Sequence, residues 1–315
     1  MKQKELQQFA KEVDAGLSDS PKRLSSKWFY DKNGDRLFVK IMNTPEYYPY
    51  RAELEIFTTK SQLLATAISF GNEYFELIEL GAGDGSKTIH LLKAIKYDRF
   101  TYMPIDISDH TLRTLSERLM REVPQVEVQP KCGEYFQVLD SISSPHPKAI
   151  LFLGSNIGNL LDEKANEFLC LLAKKMKAGD KLLLGADLKK PAHIVLPAYN
   201  DSQGITAAFN LNLLTRINRE LGGNFNVEAF EHLPEYDENE GVAKSYLQST
   251  CDQEVYISAI DKTFAFKKGE RILMEISRKY DEKAIARIVN KTGLSILDRF
   301  YDSNSYFCDI LFKKE

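Results

Sequence analysis

Three glycines at alternate positions, Gly81, Gly83 and Gly85, stand in the stretch YFELIELGAGDGSKT, residues 74–88. Before them runs an apolar segment, Phe75, Leu77, Ile78 and Leu80, with Glu76 and Glu79 set into it; after them come Lys87 and Thr88. Such a segment bounded by glycine reads as a buried parallel strand passing through a tight turn into a helix. Glycine reaches backbone angles that other residues avoid and lets a ligand approach the main chain closely. The opening turn of the helix adds N–H groups that favour a polar or negative ligand group. The spacing lacks the third glycine of the dinucleotide fingerprint and the G-K-[ST] ending of a phosphate loop. A second acid, Asp106, ends the next apolar run, TYMPIDIS. A carboxylate there suits a ribose diol, because it accepts from both hydroxyls at once. The competing reading is a strand, turn and helix with no ligand at all.

The elements that must position these residues alternate regularly. Strands are expected at 74–80, 101–107, 126–133, 149–155 and 181–188, with helices at about 86–97, 109–122 and 162–177. Alternation of this kind implies parallel βαβ units, and ligands bind beyond the carboxyl ends of their strands. The glycine turn, Asp106, the turn Gly133-Glu134-Tyr135 and the loop Gly154 to Asn159 are therefore expected to lie together. A helix at 281–293 and strands at 295–301 and 306–313 read as a closing antiparallel hairpin. The alternation breaks off at about 191–277, where PAHIVLPAYNDSQGITAAFNLNLLTRINREL looks helical and HLPEYDENEGVAKSYLQS has the polarity of a loop entering a strand. That insertion is expected to combine with residues 1–55 as a second domain beside 56–190 and 278–315. Within 25–57 lie the sole tryptophan, Trp28, and the aromatics Phe29, Tyr30, Tyr47, Tyr48 and Tyr50. Such a cluster either staples a lid to a core or lines a polar pocket.

Composition narrows the function. With 315 residues, 43% apolar and 28% charged, the chain is long enough for one large or two modest globular domains. A net charge of −3 argues against a general nucleic-acid binder, which needs a concentrated basic surface. Cys132, Cys170, Cys251 and Cys308 form no C-x-x-C pair, so neither zinc nor a disulfide framework is indicated and reduced thiols are expected. The N-terminus is too polar for a signal peptide, and no run approaches the roughly 20 apolar residues that span a bilayer. A cytoplasmic protein acting as a monomer, without membrane or nucleic-acid partners, is expected.

The pattern E-x-G-x-G followed by Asp106 resembles the S-adenosylmethionine (SAM) site of class I methyltransferases, whose fold is a Rossmann-like, mostly parallel seven-stranded sheet. More specifically, the chain resembles the L-histidine Nα-methyltransferases of the ergothioneine pathway. The shared blocks are KWFYD at 27–31, TPEYYPYR at 44–51, ELGAGDGSKT at 79–88, FLGSNIGNL at 152–160, AYNDSQGITAAFN at 198–210 and LMEISRKY at 273–280. The resemblance implies a SAM-binding domain and a substrate-binding domain. It places Gly81, Lys87 and Tyr47 along the methionine part of SAM, with Lys87 reaching the carboxylate. Asp106 would hold the ribose, and Glu134 with Tyr135 would flank the adenine, where relatives more often carry Asp and Phe. For histidine it implies Asn159 and Tyr199 on the α-carboxylate, Tyr30 on the α-amine as the catalytic group, and Glu275 with Ser277 on the imidazole.

The product implied is trimethylhistidine (hercynine), with no metal required. Taken one at a time, these residues have plain structural readings: Glu275 as an exposed charge, Tyr199 as a core aromatic, Asn159 as a helix cap. At Ser245, relatives acting on histidine carry a bulky apolar residue, which leaves another aromatic amino acid as the alternative substrate; a non-catalytic amino-acid binder on the same fold is the other alternative.

Overall fold

The computed structural model describes residues 3–315, and their contacts divide the chain into two units: 1–48 with 190–277, and 49–189 with 278–315. The second unit is built on one sheet. Phe75–Leu80 lies at its centre, with Phe100–Asp106 on one side and Lys148–Phe152, then Lys181–Asp187, on the other, all parallel. The chain closes with the hairpin Leu294–Tyr301 and Phe307–Lys314. Its second arm is inserted antiparallel beside Lys181–Asp187, which leaves the first arm at the sheet edge. Every residue of Phe75–Leu80 is buried, as a strand covered on both faces requires.

The two faces carry separate cores because side chains alternate along a strand. Phe75 and Leu77 pack with helices Tyr48–Thr59, Ser61–Ile68, Thr88–Ala94 and Asp109–Glu122. Ile78 and Leu80 pack with helices Tyr135–Ser141, Asp162–Lys174 and Glu282–Ile288. Each such fully buried side chain contributes about 1.5–3 kcal/mol relative to exposure.

Three local readings change. The expected strand at 126–133 is broken into Glu127–Val128 and Lys131–Cys132, both paired with Phe100–Asp106, so the sheet has eight segments. Pro130 lies between the pieces and has no N–H to donate to a ladder. The stretch HLPEYD is strand rather than loop: Phe230–Asp237 pairs antiparallel with Val242–Ser249 along its whole length, turning at Glu238–Gly241. Its polarity misleads because alternate residues of a half-buried strand face water. Residues 49–55 group with the sheet unit, because helix Tyr48–Thr59 buries Ala52, Ile56 and Phe57 in the first core.

The other unit pairs Lys22–Arg23, Arg271–Arg278, Val242–Ser249 and Phe230–Asp237 in one small sheet, beside the hairpin Gln253–Ile257 and Lys262–Phe266. Helix Ile205–Leu221 buries Phe209, Leu213, Leu214 and Ile217 in a core with Phe9, Trp28, Phe29, Leu247, Ile272 and Met274. Helices Gln3–Ser18 and Lys32–Met42 complete it. Arg216 of the long helix is almost wholly buried, its guanidinium over the rings of Phe9 and Trp28 and bonded to the Trp28 carbonyl at 2.8 Å.

Candidate functional site

In the sheet unit the strand ends and their loops carry the residues singled out for the cofactor, Tyr47 excepted. Gly81, Gly83 and Gly85 all hold positive φ, of 74°, 55° and 66°, which a side chain would resist. At Gly81 the constraint is also spatial. A Cβ there would stand 2.7 Å from the Tyr135 hydroxyl and 3.7 Å from the Asn156 amide nitrogen. A Cβ at Gly154 would stand 3.6 Å from both Asn156 Nδ2 and Lys87 Nζ. Gly81, Tyr135, Asn156, Gly154 and Lys87 thus lie in one neighbourhood.

Asp106 closes its strand and is held from below: the Ser108 N–H donates to its carboxylate at 2.9 Å, and the Gly83 and Ile107 N–H groups also point at it. Burial nonetheless pushes its pKa above the usual carboxylate range. Glu134 sits at the N-cap of helix Tyr135–Ser141 without bonding its N–H groups. Burial, and then the charges of Asp106 and Glu134, push the Tyr135 hydroxyl up to about 12, so it stays a neutral donor near Asp106. Asn159 ends the short 3-10 turn Asn156–Asn159 and caps no helix; Leu161 precedes the helix Asp162–Lys174. That turn is fixed by a left-handed Ser155, whose hydroxyl accepts from the Asp187 N–H at 3.0 Å, and by the Tyr280 hydroxyl on the Ile157 carbonyl at 3.1 Å.

Lys87 has a partner that no sequence signal announces. It is ion-paired with Glu53, a fully buried acid on helix Tyr48–Thr59. Burial opposes the Lys87 charge, but the adjacent carboxylate outweighs it and raises the ammonium pKa. Glu79, the acid of the E-x-G-x-G pattern, is also buried, accepting from Thr88 Oγ1 at 2.8 Å and from the Tyr102 hydroxyl. Burial pushes its pKa up to about 7. It ties the strand to the first turn of the helix rather than facing a ligand.

In the other unit, Tyr30 is fixed by its neighbours in sequence. Phe29 is buried with its ring 4.8 Å from that of Phe209, and Asp31 caps helix Lys32–Met42 through the Gly34 N–H at 2.8 Å. Asp31 also accepts from Asn212 at 2.9 Å and from Arg219 at 2.6 Å. Against the opposing effect of burial, Arg219 and the Gly34 N–H hold its carboxyl below the usual range. The Tyr30 ring, 46% exposed, meets Phe38 and Phe209 edge-on, and Tyr47 meets the same Phe38 at 6.3 Å. Tyr199 is buried at the C-terminal end of helix Ala192–Ala198. Two residues on, Asp201 receives the N–H groups of Ile205 and Thr206 at 2.9 and 2.7 Å, which anchors helix Ile205–Leu221. Glu275 and Ser277 share strand Arg271–Arg278, two residues apart and so on one face; Glu275 is partly buried and Ser277 buried. Ser245, on the adjoining strand, is buried with no partner for its hydroxyl.

The expected site residues therefore fall in two groups. Gly81, Lys87, Asp106, Glu134, Tyr135 and Asn159 belong to the sheet unit, and Tyr30, Tyr47, Tyr199, Glu275 and Ser277 to the other. Among the described residues no cluster of three or more His, Cys, Asp or Glu could hold a metal, and no helix is long and apolar enough to cross a membrane.

The sheet unit is a mixed α/β fold around a large, mostly parallel sheet, as expected of a class I SAM-dependent methyltransferase. Residues 9–314 match the family described as "Histidine-specific methyltransferase, SAM-dependent". The chain is 37% identical to the histidine N-alpha-methyltransferase of Mycolicibacterium smegmatis over 90% of its own length and 88% of that protein. It is 38% identical, at the same coverage, to the enzyme of that name from Mycobacterium tuberculosis. Ergothioneine biosynthesis protein 1 of Schizosaccharomyces pombe is 31% identical over 88% of this chain, a match that takes up 37% of the longer fungal protein. A chain matched nearly end to end, with its glycine turn and Asp106 set at the ends of this sheet, belongs to the histidine-specific, SAM-dependent methyltransferase family.

Proposed function

We propose that the protein transfers methyl groups from SAM to the α-nitrogen of L-histidine, three times in succession, to give Nα,Nα,Nα-trimethylhistidine (hercynine). The observation that carries this reading is the neighbourhood of Gly81, Lys87 and Tyr135, in a chain aligned almost throughout with histidine Nα-methyltransferases. The donor set fits SAM: a glycine with no room for a Cβ, a carboxylate at a strand end for a ribose diol, and an ammonium for a carboxylate. When bound, SAM supplies an electrophilic methyl group on a sulfonium.

The protein's part is binding, alignment and proton removal. Asp106 accepts from the ribose hydroxyls, Lys87 and Tyr47 hold the methionine end, and Glu134 and Tyr135 flank the adenine. Asn159 and Tyr199 hold the histidine α-carboxylate, while Glu275 accepts from an imidazole N–H with Ser277 beside it. Gripping the amino acid at both ends fixes the direction of the nitrogen lone pair, and such alignment supplies much of the acceleration in an in-line displacement. A site that depends on the Glu275 bond also rejects side chains without that N–H.

Converting an ammonium to a trimethylammonium releases three protons, one before each transfer, because only the neutral amine is a nucleophile. Tyr30 is assigned to bond that amine and pass its protons toward water, in keeping with its 46% exposure. The quaternary product is compatible with tyrosine faces, which attract such cations. The proposal includes action as a cytoplasmic monomer without a metal, which gel filtration and activity in a chelator test. Incubation with SAM and the twenty amino acids, read by mass spectrometry, should add one, two and three methyl groups to histidine alone. A product from another aromatic amino acid instead, or none from any, overturns the assignment.

A further inference from the structure

Behind Lys87 lies a second acid that the reading above does not use. Asp309, on strand Phe307–Lys314, is wholly buried, and no N–H or O–H group among the described residues reaches either of its carboxyl oxygens. What faces it is the carboxyl group of Glu53, also wholly buried. The space they share is kept open by Gly185, the residue opposite Asp309 in the antiparallel register. A Cβ on Gly185 would stand 2.4 Å from Glu53 Oε1 and 3.3 Å from Asp309 Oδ1. Glu53 is otherwise well supplied, with the Gly154 N–H at 2.8 and 3.1 Å from its two oxygens and Lys87 as its ion partner.

Two carboxylates facing each other away from water, with one ammonium paired to Glu53, leave an uncompensated buried charge. One proton removes it. Held on Asp309 and donated to Glu53, it satisfies Asp309 while leaving the Glu53 charge for Lys87 and the Gly154 N–H. We propose that Glu53 and Asp309 form an acid–carboxylate pair that shares one proton and positions Lys87 in the cofactor site. The proposal rests on the reading that Lys87 receives the carboxylate of SAM.

Several charged groups act on the pair. Glu53 projects from helix Tyr48–Thr59, Lys87 from the residue before helix Thr88–Ala94, Asp309 from the closing hairpin, and Glu79 from the central strand. Burial raises the Asp309 pKa, the Glu53 charge raises it further, and Lys87 opposes both. With the proton in place, cluster and ammonium are neutral together, and Lys87 is held by Glu53 where its long stem would otherwise wander. Without it the cluster is net negative and repels an incoming carboxylate. Cofactor affinity is thereby tied to a proton that never touches the cofactor, which makes Glu53 and Asp309 positioning residues.

The test is equilibrium titration of the full chain with S-adenosylhomocysteine, at about pH 6.5 and about pH 9. Glu53→Gln should weaken binding about tenfold or more at the lower pH, because the ammonium loses its anchor. Asp309→Asn, which keeps a donor facing Glu53 at every pH, should bind as the wild type does at the lower pH and lose no more affinity than the wild type at the higher. Gly185→Ala, which crowds Glu53 Oε1 but leaves every charge in place, should weaken binding in the same direction and guards against a Glu53 variant that fails to fold. Affinity unchanged or improved in both Glu53→Gln and Gly185→Ala overturns the positioning role. Binding weakened about tenfold or more in Asp309→Asn at the lower pH overturns the shared proton. Lys87→Met is the control: wild-type affinity there overturns the carboxylate assignment itself, a failure distinct from that of the pair, and takes the proposal with it.

Discussion

The two units position their candidate residues by different means. In the sheet unit the backbone does most of the positioning: strands stop at Leu80, Asp106 and Phe152, glycines take left-handed angles just beyond, and N–H groups of Gly83, Ser108 and Gly154 fix the acids that matter. In the other unit side-chain packing does it. Tyr30 is aimed by a buried Phe29 on one side and the capping Asp31 on the other, and Glu275 and Ser277 owe their shared face to the alternation of one strand. A backbone-built site tolerates little change at its glycines but much at neighbouring side chains. A packing-built site can be retuned by single side chains, which would suit the amino-acid recognition proposed for this unit.

Three measurements would break or sharpen that contrast. The largest effect is expected at Asp106. Asp106→Ala removes bonds to both ribose hydroxyls from an ionised acceptor, each worth about 1.5–3 kcal/mol, so SAM binding should fall by more than about 100-fold in a calorimetric titration. Retention of near-normal affinity would mean the strand end is not the ribose site. Next comes Glu275→Ala, which should raise the histidine Kd roughly 10- to 100-fold with little change for SAM. Equal losses for both ligands would show Glu275 to be structural, and the division of labour would fail.

The smallest effect concerns stability alone. Burial lets folded Glu79 keep its proton up to about 7, against an ordinary glutamate value of 4.5. Over that window the folded state binds more protons than the unfolded chain, so Glu79 makes stability fall as pH rises, by on the order of 3 kcal/mol in total, with nothing further above the window. Glu79→Gln should flatten the dependence of the thermal midpoint between about pH 4 and about pH 8; an unchanged slope would mean that Glu79 is ionised when folded.

Legibility followed the same division. The glycine turn and Asp106 could be read directly, because positive φ leaves glycine as its trace and a buried parallel strand leaves a short apolar run. The closing hairpin was equally plain from two apolar runs at the end of the chain, and its pairing is as expected. The roles suggested for Tyr199, Glu275 and Ser277 came only with the resemblance to a family, since a tyrosine after a helix or a glutamate in a strand has no local mark of function. The hairpin at 230–249 was half missed, because a strand with one wet face carries as many polar residues as a loop. Glu53 and Asp309 were wholly illegible. Asp309 is an acid in an apolar run and Glu53 an acid among other charges on a helix, and nothing local separates either from a solvated charge.

Local sequence determined, by itself, where the chain must turn, where strands run buried, and which end of the sheet offers glycine and carboxylate to a ligand. These follow from backbone sterics and side-chain alternation, which act over a few residues. Only the tertiary structure decided that an acid at 53 would meet a lysine at 87 and another acid at 309 around a glycine at 185. The reason is physical: the charge state of a buried carboxyl group depends on every group packed around it, and those groups come from four distant parts of the chain.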